Sequence, residues 1–275
     1  MIEPFVRWAG GKRWLAPKLA AEIESHKPRL YVEPFVGGGA VALAIQQTIP
    51  KLLNDANPTL MDTWRCLQKS ATTLIAELER VTREFPNTQK GYLDARSALN
   101  SAILDPRPLW FRRAALFLYI NARCFNGLWR TNSEGFFNVP WGKLKKPSTI
   151  DVDEAAHLFA WLRPVTLTTM DFHELFHGKK LPWMQTCIYA DPPYHDTFTT
   201  YTKGDFDEDA QRTLAWDLQL LTKKGAKVWV TNNDTPLVRE LYAWAQIEEI
   251  DEHHCIGATG DRRGKRHCLL IRGIG

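Results

Sequence analysis

Hydrophobic positions along this chain fall into two regimes. Toward both ends, short apolar runs alternate with amphipathic stretches. Residues 30–33 (Leu-Tyr-Val-Glu), 51–54, Val165–Thr169, Thr186–Ala190 and Lys227–Thr231 have strand length. Helical stretches near 207–223 and 236–245 lie between or after them, and an apolar helix runs from Gly37-Gly38-Gly39 through Ile45. Residues 246–251 and 266–272 suit two further strands at a sheet edge. This alternation predicts an α/β fold with a mostly parallel sheet covered on both faces.

From about residue 58 to 160 the pattern turns helical, with 71–85, 90–102 and 107–122 the clearest segments. Between Cys124 and Trp141 it changes again, to Gly, Asn and aromatic residues. Glu134-Gly135, set between two aromatic runs, suits a hairpin or an irregular loop. No repeat or low-complexity tract interrupts the chain. The middle reads as a helical insert with an aromatic, amide-rich hairpin, a candidate specificity module on a cofactor-binding sheet.

With 275 residues, 44% of them hydrophobic, the chain suits one large packed domain or one domain with a sizeable insert. No apolar run is long enough to span a membrane, and Met1–Arg7 lacks a signal-peptide core. Five cysteines without CxxC spacing fit a reducing cytoplasm and no disulfide frame. His253, His254, Cys255, His267 and Cys268 match no zinc spacing, so no metal is expected. The net charge of +4 does not announce a polyanionic partner. Its distribution says more: Arg7, Lys12 and Arg13, then Lys143, Lys145 and Lys146, then Arg262, Arg263, Lys265 and Arg266 are three basic clusters. Interleaved with aromatic residues, they suit a face that tracks phosphates.

The most specific chemistry lies at Asp191-Pro192-Pro193-Tyr194, where the 186–190 strand ends. Proline fixes φ and offers a carbonyl without a competing N–H. Asp191 and a proline carbonyl can both accept from an exocyclic amine while Tyr194 covers the ring that carries it. Glu33-Pro34-Phe35-Val36-Gly37-Gly38-Gly39 lies between a strand and a helix, and its glycines allow close backbone approach to a ligand. Asp55 ends the next strand, where it can meet the polar part of a nucleoside cofactor. Neither G-x-G-x-x-G nor a P-loop is present, which disfavours NAD and nucleotide hydrolysis and leaves a nucleoside without phosphates; S-adenosylmethionine fits. Asp171-Phe172 suits either an adenine-binding pair or a helix cap followed by a core phenylalanine. Trp8-Ala9-Gly10-Gly11-Lys12 forms a second glycine turn with an aromatic and a cation at its ends.

These segments occur in a telling order. Val6–Lys12, Val32–Gly39, Asn54-Asp55-Ala56-Asn57, Asn126-Gly127-Leu128-Trp129-Arg130, Phe137–Gly142 and Asp191–Tyr194 resemble the ordered motifs of the Dam family, the D12 class of N6-adenine DNA methyltransferases. The resemblance runs nearly end to end. It implies a class I methyltransferase fold of Rossmann-like kind, with a cytoplasmic monomer acting on double-stranded DNA and needing no obligatory protein partner. Residues 1–57 and 163–275 would form the catalytic domain, and 58–162 the target-recognition domain. By position, the implied cofactor contacts are Trp8, Lys12, Asp55 and Asp191. Glu33, Gly37 and Gly39 would shape the methionine end, Asp171 and Phe172 would meet the adenine end, and Phe35 would be a further cofactor contact. Phe125 stands where an aromatic enters the base stack. Asn126, Leu128, Arg130 and Pro140 match DNA-contacting positions, with Arg130 at a guanine of GATC and Arg7 facing the other guanine. Cys124, Trp129 and the loop at 256–260 depart from the common pattern.

The implied reaction moves a methyl group from S-adenosylmethionine to adenine N6, with neither a metal nor a covalent enzyme intermediate. Asp191 and the Pro192 carbonyl accept the amine protons, and Tyr194 stacks on a base that has left the helix. An N4-cytosine methyltransferase needs similar geometry but more often carries Ser in place of this aspartate. RNA and protein-glutamine methyltransferases would carry Asn-Pro-Pro-Tyr. A catalytically silent DNA-binding relative would have no need of both Asp191 and Tyr194.

Overall fold

The computed structural model describes residues 2–104, 110–195, 206–251 and 267–274. Strands β1 (Leu30–Glu33), β2 (Lys51–Asn54), β3 (Thr166–Thr168), β4 (Thr186–Ala190), β5 (Lys227–Asn233), β6 (Gln246–Asp251) and β7 (His267–Gly273) form one sheet. Their spatial order is β3-β2-β1-β4-β5-β7-β6. The pairs from β3 to β5 are parallel, and β7 lies antiparallel between β5 and β6. β2 and β4 are buried throughout, so neither shows a polar alternation. The strand order reverses between β1 and β4, and a crevice therefore opens at their carboxyl ends.

The helices are α1 (Ala16–Ser25), α2 (Ala40–Ala44), α3 (Pro58–Lys69), α4 (Ala71–Glu84), α5 (Gln89–Leu104), α6 (Trp110–Arg123), α7 (Val152–Leu162), α8 (Phe172–Gly178), α9 (Glu208–Lys223) and α10 (Pro236–Leu241). α1 was not among the expected helices, although Ala16, Leu19, Ala20 and Ile23 form one buried stripe at helical spacing. α3 starts where Asn57 caps the Thr59 and Leu60 N–H groups, with proline in the first turn. α7 starts on an Asp151–Glu154 capping box. The helix expected at 236–245 stops at Leu241. There the chain turns, the Ala245 N–H donating to the Tyr242 carbonyl, and β6 begins at Gln246.

Each strand divides its side chains between two cores, because neighbours in a strand face opposite ways. Tyr31, Leu53, Tyr189 and Trp229 point into a core that continues through α1 into the inserted helices, where it includes Trp64, Leu74, Leu99, Phe117 and Trp161. Val32, Ile188, Val228 and Val230 pack on the other face against Leu175, Phe176, Leu214 and Leu218. Helices α3 to α7 enter the chain between β2 and β3, as the change in periodicity implied. They share an apolar core with the sheet.

One buried amide joins the loops beyond β1, β2 and β3. The Asn54 Nδ2 donates to the carbonyls of Pro34 (3.0 Å) and Met170 (2.9 Å). Its Oδ1 accepts from the Thr168 hydroxyl (2.9 Å) and the Met170 N–H (3.1 Å). Its main-chain carbonyl accepts from the Val36 N–H at 2.8 Å. Replacing Asn54 by Ala strands several of these groups, each costing roughly 1–3 kcal/mol when buried and unpaired. The Asn54→Ala protein should unfold at a clearly lower urea concentration; an unchanged midpoint would mean that water replaces the amide without penalty.

Candidate active site

Asp191 follows the last residue of β4 directly, at the mouth of the crevice. Its Oδ1 accepts from the Thr231 hydroxyl of β5 at 2.6 Å. Thr231 in turn lies 3.0 Å from the Tyr189 hydroxyl. The Asp191 Oδ2 pairs with the Lys12 ammonium at 3.1 Å. That ammonium is buried, bonds the Gly10 carbonyl, and sits 4.7 Å from the centroid of the Tyr194 ring. Beyond Tyr194 the loop is clamped. The Pro193 carbonyl accepts from Gln211 Nε2 of α9 (2.8 Å). The His195 N–H donates to Asn232 (3.0 Å), and its carbonyl accepts from Asn233 (2.6 Å). Asp191 and Tyr194 are therefore held on a rigid turn between two strands and a helix.

The glycine loop forms the opposite wall. Gly37 adopts φ +48°, and a Cβ there would come within 2.7 Å of the Trp8 indole. Asp55 accepts from the Gly37 N–H (3.0 Å) and the Asn57 N–H (2.9 Å). Burial raises its carboxyl above the usual range, and these two N–H groups oppose that shift. Phe35 packs beside Phe172 at 5.5 Å and Phe206 at 5.6 Å, giving an aromatic edge. Asp171 itself is exposed and caps α8 through the His173 N–H. Of the two readings of Asp171-Phe172, the structure shows the helix cap followed by a buried core phenylalanine.

Glu33 ends β1 and is buried. It accepts a hydrogen bond from the Tyr31 hydroxyl, two residues earlier on the same face. Burial first, and the nearby Asp191 charge as well, push its carboxyl from 4.5 to about 8. Glu33 is therefore largely neutral at pH 7. A raised folded-state pKa means that its stabilising contribution is complete below about 4.5 and is lost as pH climbs through about 8. The melting-temperature difference between Glu33→Gln and the wild type should shift in favour of the glutamine variant from about pH 5 to pH 9. A difference independent of pH would show that Glu33 ionises alike in the folded and unfolded chain.

A second constellation lies at the end of α6. Phe125 is 43% exposed, and its N–H donates to the Pro140 carbonyl (2.9 Å). Asn126 takes a left-handed conformation, φ 54°. Leu128 is half-buried against the core. The Arg130 Nε donates to Asn138 Oδ1 at 2.6 Å across a narrow hairpin whose turn contains Gly135 at φ +82°. Bridges join Thr131 to Phe137 and Cys124 to Trp141. Arg7, remote in sequence, is brought to this segment. Its N–H and carbonyl both bond the Asn121 side chain at 2.8 Å, and its Cβ lies where a Gly127 side chain would be.

The expected residues thus gather into two groups, one around the crevice and one around the hairpin. The opening basic cluster does not form one face. Lys12 is drawn inward by Asp191, and Arg13 pairs with Glu3 at 3.4 Å. Lys143, Lys145 and Lys146 are exposed as expected. The clusters at 253–255 and 262–266 and the loop at 256–260 lie outside the described residues. Thr231, Tyr189, Gln211, Asn121 and Asn138 were not anticipated. Thr231 closes an expected strand, so its place beside Asp191 was the most accessible of these; the others depend on elements far apart in sequence.

The architecture agrees with the comparisons to known proteins. Residues 8–256 match the D12 class N6 adenine-specific DNA methyltransferases. The chain is 31% identical to the type II methyltransferase M.MjaIII of Methanocaldococcus jannaschii, covering 95% of both proteins. It is 34% identical to a DNA adenine methylase of Vibrio cholerae, covering 97% of this chain and 94% of that one. A DNA N-6-adenine-methyltransferase of Escherichia phage P1 is 36% identical over 96% of this chain, which spans 34% of that longer protein. No helix among the described residues is long and apolar enough to cross a membrane. With a seven-stranded α/β sheet of class I methyltransferase type and a family match across nearly its whole length, the chain belongs to the D12 class and is an adenine-specific DNA methyltransferase.

Proposed function

We propose that this enzyme, acting as a monomer, methylates adenine N6 within GATC in double-stranded DNA after the target base leaves the helix. The observation that carries the reading is the Asp191 carboxylate, held by Thr231 and Lys12 beside the Tyr194 ring at the crevice.

The family implies S-adenosylmethionine as donor, and the crevice fits it. Gly37 has no room for a Cβ because the Trp8 indole packs against it, which would set that ring in the wall of the site. Asp55 offers carboxylate oxygens and Phe35 and Phe172 an aromatic edge, which suits a nucleoside carrying an ammonium. Trp8, Glu33, Phe35, Gly37, Gly39, Asp55, Asp171 and Phe172 would hold the group, with Lys12 and Asp191 at its reactive end. When bound, it supplies an electrophilic methyl.

The chain's own residues prepare the acceptor. The lone pair of an adenine amine is delocalised into its ring. Asp191 and the Pro192 carbonyl, each accepting one N–H, favour a pyramidal nitrogen and stabilise the positive charge that develops there. Lys12 now occupies the amine-facing side of Asp191, so the amine would displace it or share the carboxylate. Tyr194 would replace the stacking lost on flipping, about 1–3 kcal/mol per base. Phe125 would enter the gap left behind. Arg130 would donate to guanine O6 and N7, oriented by Asn138, while Arg7, Asn126, Leu128 and Pro140 complete the DNA-facing surface of a recognition region at 58–162.

Asp191→Ala should lower kcat by roughly 10²–10³ while leaving duplex binding, read by fluorescence anisotropy, nearly unchanged. An alanine variant with full turnover would remove Asp191 from the reaction. Sequencing of adenine methylation in DNA from cells expressing the wild type should show GATC; a different dominant motif would overturn the specificity while leaving the chemistry. Arg130→Ala should relax preference at one guanine by about 1–3 kcal/mol, whereas Lys143→Ala should weaken all sequences alike.

A further inference from the structure

On the sheet face away from the inserted helices, α8 and α9 bring together three side chains that the methyl-transfer site does not use. His173 and His177 stand one helical turn apart on α8, with ring centroids 4.3 Å from each other. Asp217 reaches them from α9. Its Oδ2 lies 2.8 Å from His173 Nδ1, and its Oδ1 lies 2.8 Å from His177 Nε2. The Asp217 side chain is 1% exposed, against 53% and 40% for the two histidines. Among the described residues, these imidazoles are the groups that hydrogen-bond the carboxylate. A carboxylate buried to this degree calls for a compensating charge, which a bound cation would supply.

The geometry points to a site for one transition-metal cation of the zinc class, ligated by His173, His177 and Asp217, with a fourth position open to water. The three ligand atoms lie within 4.8 Å of one another. Zinc–ligand distances of about 2.0–2.2 Å place tetrahedral ligand atoms roughly 3.3 Å apart. Each histidine–aspartate pair would open by about half an ångström, and the more widely separated ligand atoms, up to 4.8 Å apart, would close by rotation of the exposed imidazoles to admit the ion. Two imidazoles and one carboxylate favour zinc and its neighbours over magnesium or calcium, which prefer all-oxygen sites. Binding would use the ring nitrogens that face Asp217, with each imidazole carrying its proton on its other, solvent-side nitrogen, and would give the buried carboxylate its counter-charge. The partly solvated rings provide the entry path.

The ion would staple α8 to α9. α8 begins at Phe172 of the aromatic edge. α9 carries Gln211, which holds the Pro193 carbonyl less than two turns before Asp217, roughly 9 Å along the axis. The site is thus structural and separate from the acceptor carboxylate.

Untagged full-length protein titrated with zinc against a chromogenic chelator should bind one equivalent and melt at a higher temperature. His173→Gln and His177→Gln, both at exposed positions, should each weaken that binding by more than the roughly 10–100-fold lost when a ligand's outer partner is removed. Both variants should keep the wild-type circular dichroism and lose the zinc-dependent rise in melting temperature. Cobalt in place of zinc should give the visible absorption of a four-coordinate site, absent in the variants. Failure of the wild type to take up zinc would overturn the proposal. So would zinc uptake unchanged in His177→Gln, which would assign the ion to other side chains.

Discussion

A carboxylate at the end of a buried parallel strand is costly unless its charge is compensated. Asp191 is such a group, and the chain meets the demand from two directions. Thr231 arrives from the neighbouring strand β5. Lys12 arrives from the N-terminal segment, 179 positions away in sequence. The Lys12 carbonyl also accepts from the Leu15 and Ala16 N–H groups at the start of α1. The ion pair thereby anchors residues 5–16 across the top of the sheet. Within that segment Trp8 lies under Gly37, and Arg7 is clasped by Asn121 of α6. One short stretch thus links Asp191, the glycine loop and the hairpin.

The other acids of the crevice are treated differently, and physically this matters. Neighbouring carboxylates repel one another if both ionise, and the Asp191 charge acts on Glu33. Glu33, the most deeply buried, is relieved by a raised pKa and a tyrosine hydroxyl. Asp55 meets main-chain N–H groups instead. Asp191 alone of these three bonds a cationic side chain. The crevice can therefore hold carboxylates at distinct positions without a prohibitive sum of charge, which suits a cationic donor at one end and an amine at the other.

The inserted helices complete a core begun by the sheet. Trp64 of α3 donates its indole N–H to the Gly37 carbonyl at 3.2 Å, and Gly39 has no side chain because the Trp64 ring fills that space. The glycine loop is therefore shaped from the insert side as well as from the sheet. In the proposed reading, this shared packing is what holds the base-reading hairpin at a constant distance from the methyl-transfer crevice.

Local sequence determined much of this protein. Short, mainly apolar runs predicted β1 and β4 because strands buried on both faces leave little room for polar alternation. Asp-Pro-Pro-Tyr and the glycine loop marked turns at strand ends because prolines and glycines restrict or free the backbone wherever they occur. The family resemblance followed from the order of such motifs. Tertiary structure decided which groups meet. Lys12 could be read as cofactor-facing or solvent-facing until the sheet placed Asp191 in front of it. Thr231, Asn121 and Asn138 carry no local signal, since a threonine or asparagine becomes a positioning group only through the partner it meets. The His173–Asp217–His177 cluster combines a helical spacing visible in sequence with a buried acid that only the packing of α8 on α9 supplies. Hydrogen bonds between distant segments are set by the closure of the fold, and no window of sequence contains both ends.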